Sequence, residues 1–363
     1  MSEAVPQGPP ARSVKYPSDP RDQSPGPVEP VTGKGPVASV QFLGEVLSTN
    51  SEHIRDLGFS GHIGNTYINS YGDVLICGDG SAEARRKQSS PSILASNCGA
   101  YATGDPTRIT DFNLTPNRHA QMFCPNVPSE IPPYDYGVGI TNIIPISDTK
   151  GVMYFLKNYR QGGINRMVGA GVAVVDITGS YPTCHRLSDY WWDAKYEPWY
   201  GDHSAVVGRD NWTYVYGGVN EDKSNPTFYD GMYLCRVPHG LETELSKYEY
   251  WNGDAFTPER IGPTKKAAVL GPGISFISFP FGDVHSEFAS IDVGNEAFNV
   301  IIARTAERPE GPWSDHFTIK AIGHYPFVYA PSQQYKYDPT GKTLVISYTA
   351  HPNQIFALKI AFI

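Results

Sequence analysis

Two stretches decide how this chain folds: Phe59–Asp73, FSGHIGNTYINSYGD, and Ser204–Gly218, SAVVGRDNWTYVYGG. Laid over each other, each is a run with small residues, then a turn, then a strand that carries Tyr and reaches Tyr-Gly. GVGITNIIPISDTKGVMYFLKN (137–158) follows the same plan around the turn Ser147–Gly151, and YAPSQQYKYDPTGKTLVISYT (329–349) follows it around Asp338–Gly341. GISFISFPFGDVHSEFASIDVGNEAFNVIIAR (273–304) is a looser copy. Self-similarity at a period of some tens of residues signals a repeat architecture. The five units begin near residues 56, 135, 202, 273 and 328.

Outward from these units, short apolar runs are broken repeatedly by Gly, Asn and Asp, the pattern of strands and hairpins. Helical periodicity is confined to 240–250, GLETELSKYEY. Five antiparallel sheets set radially make an all-β, five-bladed β-propeller, which protects its sheet edges by closing on itself. Closure requires a strand from one terminus to complete a sheet begun by the other, and ASVQFLGEVLS (38–48) and IFALKIAFI (355–363) are suited to pair. Two β-sandwiches are the alternative, but they would not need the same small-residue strand five times. Those small residues are Gly61, Gly139, Ala205, Gly273 with Ser275, and Ser332. They fit inner strands that converge on an axis, where backbones approach closely. Residues 1–36 contain nine prolines and almost no Ile, Leu or Phe, so they read as an extended leader before one domain spanning 37–363.

Composition narrows the function. With 29 Lys+Arg against 37 Asp+Glu, the net charge is −8 and there is no basic run, which argues against nucleic acid as a partner. No apolar stretch approaches the roughly 18 residues of a membrane span. The five cysteines, Cys77, Cys98, Cys124, Cys184 and Cys235, show no CxxC spacing and no metal-like spacing with His; Cys98 with Cys124 is the first disulfide to look for. Sequons at Asn113 and Asn211 leave the secretory and cytosolic routes both open, and MSEAVPQGPP at the start has no apolar signal region. Aromatics reach 12%, with 23 Tyr, enough to line a cavity for an apolar guest.

The residues just before the inner strands point to the channel mouth: Asp56, Asp135, Asp202 with His203, and Tyr329, with Gln333 slightly deeper. Here the chain resembles a known group. Arg55–Gly61, RDLGFSG, followed by Cys77-Gly78-Asp79-Gly80, is similar to the first blade of propellers related to arabinanase-type glycosidases, although Gly80 stands where Thr is usual. Tyr248–Gly253, YEYWNG, and Arg308–Ser314, RPEGPWS, resemble blade connections of the same group. This resemblance implies hydrolysis of arabinose-type glycans by two carboxyl groups, one protonated and one ionised. The candidates are Asp56, Asp135, Asp202 and Glu287, the last placed on a second strand of the fourth unit. Asp before an inner strand also has a bland role, accepting backbone N–H bonds in a turn.

The whole chain, with its Pro-rich leader, Tyr-rich blades and RDLGFSG opening, also resembles fungal hetero-Diels-Alderases that join a tropolone o-quinone methide to a humulene-type terpene. That resemblance implies a reaction without a cofactor or metal, in which two small apolar substrates are held face to face and a donor binds the diene carbonyl. The holding surface would come from Tyr134, Tyr136, Tyr329, Trp191, Trp192 and Trp199, and the donor from Lys157, Arg160, His203, Arg304 or Gln333. Each of these has an ordinary structural alternative: solvated cations, or rings packed under a loop. Other chemistries lack their motifs. There is no GxSxG, HExxH or P-loop, and GAGVAVVDITG (169–179) starts a strand, not a nucleotide-binding helix. Asp202, His203 and Ser204 are consecutive strand residues on alternating faces and cannot form a relay.

Overall fold

A computed structural model of the chain describes residues 25–26, 28–31, 36–130, 136–161, 166–219, 229–271, 288–293, 300–321, 328–337, 343–350 and 353–363. It is a β-propeller. Blade 1 is ordered from its inner strand Ile54–Ile63 through Thr66–Cys77 and Cys98–Ala102 to Arg108–Asp111, where Leu47–Ser48 adds in parallel. Blade 2 runs Tyr136–Pro145, Lys150–Tyr159, Arg166–Asp176 and Thr183–Arg186. Blade 3 runs Trp199–Val207, Trp212–Gly218, Tyr233–Pro238, Glu249–Trp251 and Phe256–Thr257. Blade 4 shows Phe288–Val293, Val300–Ala306 and Phe317–Ala321. Blade 5 runs Val328–Gln333, Thr343–Ala350 and Gln354–Phe362, and Val37–Glu45 from the start of the domain completes it, followed at its edge by Val28–Pro30.

The described residues therefore form four full blades and one three-stranded sheet, a less uniform set than five equal repeats. One unit was misplaced in the sequence reading. Phe288–Val293 lies against the inner strand of blade 5, so it is the inner strand of blade 4 and not its second strand. Gly273 and Ser275 lie outside the described residues.

The repeats end where their residues require. Ile63 and Thr66 pair across the two-residue turn Gly64-Asn65, with Gly64 at φ 51°, where a glycine adopts the left-handed backbone without penalty. Adjacent blades are stapled together by side chains bonded to backbone. Ser60 donates to the Gln333 carbonyl (2.7 Å) and Ser70 to that of Thr141 (2.6 Å). The Asn142 amide bonds both the N–H and the C=O of Ala205 (2.9 and 2.7 Å). A Cβ on Gly61 would lie 2.2 Å from the Ile143 carbonyl of blade 2, so a glycine is required there; the space around Gly139 is ordinary, with nothing nearer than 3.6 Å. Small inner-strand residues thus serve close approach at one predicted position and not at the other.

The segment 240–250 holds only a single 3-10 turn, Leu245–Lys247, while a one-and-a-half-turn helix, Ala82–Lys87, forms after Ser81, whose hydroxyl accepts the Ala84 N–H (3.1 Å). The cysteines are free, and the pairing considered between Cys98 and Cys124 is not made. Cys98 packs with Tyr71 and Val74 inside blade 1, whereas Cys124 packs with Phe155 and Val175 of blade 2 and is within hydrogen-bond reach of the Cys184 thiol.

Much of the Tyr and Trp content fills the boundary between blades 2 and 3. Tyr154, Trp192, Tyr200, Tyr248 and Tyr250 are fully buried there, with Trp191 against them. Their polar ends pair with one another: Tyr154 and Tyr248 hydroxyls lie 3.0 Å apart, and Trp192 Nε1 donates to the Tyr250 hydroxyl (3.0 Å).

Candidate active site at the channel mouth

Each inner strand of blades 1, 3 and 5 starts with a break in its register against the second strand. Such bulges bend a strand and re-aim its side chains. In blade 1 the break falls at Asp56–Gly58, with Leu57 at φ 64° and Gly58 at φ 123°; in blade 3 it follows Tyr200, with Gly201 at φ 101°. Asp56 and Asp202 occupy these breaks.

Arg55 anchors the first one. Its guanidinium is buried, bonds Asp111 twice (2.7 and 3.2 Å) and lies over the Tyr71 ring. Burial alone would raise the Asp111 carboxyl, but Arg55 outweighs it and holds it at about 2. With Arg55 facing outward into the blade, its neighbour Asp56 turns the other way. The Asp56 carboxylate rests on Gly72, where a Cβ would come within 2.2 Å of Oδ1. Gly217 stands in the same relation to blade 3, its Cβ position 2.3 Å from the Trp199 carbonyl. The Tyr-Gly shared by the two opening stretches is therefore what gives the bulged strand room.

Three blades contribute to the surroundings of Asp56. Tyr329 of blade 5 donates to Oδ2 (3.4 Å), the Asp73 N–H bonds the carboxylate, and Oδ1 has no partner. Asp73 itself is held by Arg160 of blade 2 (2.6 Å), whose guanidinium lies on Gly137. Burial is the main reason the Asp56 carboxyl is pushed up to about 7, with the Asp73 charge adding to it; the Asp73 N–H, Arg160 and Tyr329 pull the other way. Asp202 accepts from Trp199 Nε1 (3.0 Å), and burial raises it to about 7 as well. His203 is buried beside it.

The structure thus brings Asp56, Tyr329, Arg160, Asp202, Trp199 and His203 to the starts of inner strands or the ends of second strands. Gln333 lies deeper and buried, its carbonyl holding Ser60. Tyr136 stacks edge-on against Tyr159 and under the Lys157 ammonium. Several expected residues have other duties. Lys157 is buried between Glu130 (3.2 Å) and Asp189 (2.6 Å), and Glu130 is fully enclosed and also bound by Arg186 (2.9 Å). Two carboxylates thus occupy two of the three N–H donors of this ammonium. Trp192 belongs to the core between blades 2 and 3, where it is fully buried, and the partly buried Trp191 packs against it. Arg304 donates to the Ser314 carbonyl (3.0 Å) and faces His316. Tyr134, Asp135 and Glu287 lie outside the described residues. Asp73 was missed, although the first quoted stretch ends on it: a Tyr-Gly-Asp facing a bulged Asp is the signal.

No protein-family model matches the chain, and no curated protein matches it in sequence. Solved structures do match in shape. A candidate hydrolase from Bacteroides ovatus aligns at a TM-score of 0.62 and 14% identity, covering 96% of each chain. An exo-β-1,3-galactanase from Phanerochaete chrysosporium aligns at 0.51 and 11% identity over 84% of this chain and 60% of its own. A xylan β-1,4-xylosidase from Bacillus halodurans aligns at 0.50 and 9%, over 86% and 54%. At such identities the likeness establishes the propeller fold, in agreement with the glycosidase-type resemblance of the blade motifs.

Proposed function

We propose that the channel mouth hydrolyses glycosidic bonds, with Asp56 and Asp202 among the carboxyl groups that do so. The observation that carries this reading is their placement: two carboxyls at matching bulges of two blades, each partly desolvated and each poised near 7. Glycoside hydrolysis needs one carboxyl protonated and another ionised at the same pH, and carboxyls whose environments differ can divide those roles. Asp56, with Arg160 close by through Asp73, is the better placed to ionise and act as base. Among the described residues no cation acts on the Asp202 carboxyl, which is the better placed to keep its proton. The fold neighbours that act on galactans and xylans, and the blade motifs that resemble arabinanases, support a pentose- or hexose-containing glycan as substrate.

A cofactor-free cycloaddition of two apolar partners is the second reading, and one observation favours it: a protonated Asp202 beside Trp199 is a hydrogen-bond donor next to a flat apolar surface. The two readings separate on Asp202→Asn. The amide still donates, so a cyclase keeps most of its rate, whereas it cannot transfer a proton, so a hydrolase loses about a hundredfold or more. Release of reducing sugar from arabino-, xylo- and galacto-oligosaccharides, with wild type and this variant, is the test. No release from any of them by wild type would overturn the hydrolase reading.

A further inference from the structure

A second cavity lies at the mouth end of blade 1 but toward its outer strands. Its volume is about 500 Å³. It is walled by the segment leading into the inner strand, the Asp79-Gly80 turn after the second strand, and the loop around Arg118. None of its lining residues belongs to the cluster around Asp56 and Asp202.

Its lining carries charges of both signs. Arg108, Arg118, His53 and His119 line it, against the carboxylates of Glu52 and Asp79. Glu52 is taken up by an arginine, while Asp79 is exposed to solvent and keeps its charge. Glu52 pairs with Arg85 (3.2 Å), and Asp79 accepts the Ser81 N–H (3.0 Å) at the start of the short helix. Arg118 is tied to the Asn50 carbonyl, which holds its guanidinium at the rim without neutralising it. His53 is 8% exposed, and its buried Nδ1 has no hydrogen-bond partner among the described residues. A buried polar nitrogen left unpaired beside a roomy polar cavity is an incomplete site.

We propose that this cavity is a binding site for a small oxyanion-bearing ligand, a carboxylate or a phosphate, held by Arg118 and Arg108 and completed by His53 and His119. Arginine forks match planar carboxylates and phosphate oxygens and keep their charge at every physiological pH. The electrostatics agree: burial first, then Arg55, His119 and Arg118, hold His53 neutral at about 4, against the opposing pull of Asp111. A bound anion offsets those neighbours, so His53 regains affinity for its proton when the site fills. The proposal is independent of the hydrolase reading, since it uses none of the same residues.

Titration calorimetry on the full chain tests it, with inorganic phosphate, glucuronate and uncharged glucose as separate probes. The expected result is saturable binding of phosphate or glucuronate, weakened at least tenfold in Arg118→Gln and in His53→Gln and unchanged in Asp56→Asn. Tighter phosphate identifies a phosphate or phosphoester ligand; tighter glucuronate identifies a sugar acid. Circular dichroism establishes that the variants are folded, and Arg118, being at the surface, can be replaced without disturbing the core. The proposal is overturned if neither anion binds up to about 10 mM, if Arg118→Gln binds as wild type does, or if glucose binds as well as glucuronate.

Discussion

Replacing Asp202 by Asn should change how the stability of this protein depends on pH. The carboxyl stands at about 7 in the folded chain, against 3.8 for an ordinary aspartate. Between about pH 4 and 7 the folded protein therefore holds a proton that the unfolded chain has released, and stability falls as pH rises through that window. A rise of about three pH units corresponds to at most ~4 kcal/mol. Asp202 keeps part of its surface in water, so solvent screening brings this to ~2 kcal/mol. Asn keeps an oxygen to accept from Trp199 Nε1 but does not titrate. The variant should match wild type at pH 4 and exceed it at pH 8 by that ~2 kcal/mol, which for a chain of this size is a difference of ~2–3 °C in the thermal midpoint. Differential scanning fluorimetry of both proteins from pH 4 to 8.5 reads it directly. Parallel midpoint curves, with a constant offset at every pH, would refute the assignment of a protonated buried carboxyl to this position.

Other perturbations address the framework around the mouth. Gly72→Ala should push the Asp56 carboxylate from its seat, since the new Cβ would meet Oδ1 at 2.2 Å; hydrolysis should fall about as far as in Asp56→Asn while the fold loses only ~1–3 kcal/mol, and unchanged turnover would show that the seat does not matter. Glu130→Gln leaves Lys157 and Arg186 short of their enclosed partner and should cost ~3–5 kcal/mol in urea unfolding; a loss below ~1 kcal/mol would mean that the ion cluster does not hold blade 2. Asn142→Ala strands the N–H and C=O of Ala205 between blades and should cost ~2–4 kcal/mol, read as a lower urea midpoint at constant slope.

The fold was legible because its signal is repetition. Tyr71-Gly72 and Tyr216-Gly217 recur, and in both blades the glycine is where a bulged inner strand presses on its neighbour. The pairing of 38–48 with 355–363 followed from the need to close a ring, and Val37–Glu45 does lie beside Gln354–Phe362. The fourth unit was misread because its strands lack the Tyr-Gly mark, so spacing alone placed its start.

The site was legible in part. An Asp ahead of an inner strand announces itself, and Asp56 and Asp202 came out at comparable positions. The rest depends on which chain segments meet. Nothing near Lys157 in sequence reveals that Glu130, from the connection between blades 1 and 2, reaches it, nor that Trp192 finds Tyr250 across a blade boundary. A Tyr-rich composition suggested a lined channel, yet the largest group of those rings packs between blades, with hydroxyls turned on one another.

The central claim is that the mouth carboxyls carry hydrolysis, and the most direct measurement follows the oxygen. Arabino-, xylo- and galacto-oligosaccharides incubated in 18O-labelled water with wild type and with Asp56→Asn should give, for wild type, a product bearing one 18O at its new reducing end. The variant should retain no more than about one hundredth of that rate. Absence of labelled product from every substrate with wild type, or equal labelling by Asp56→Asn, would contradict the account.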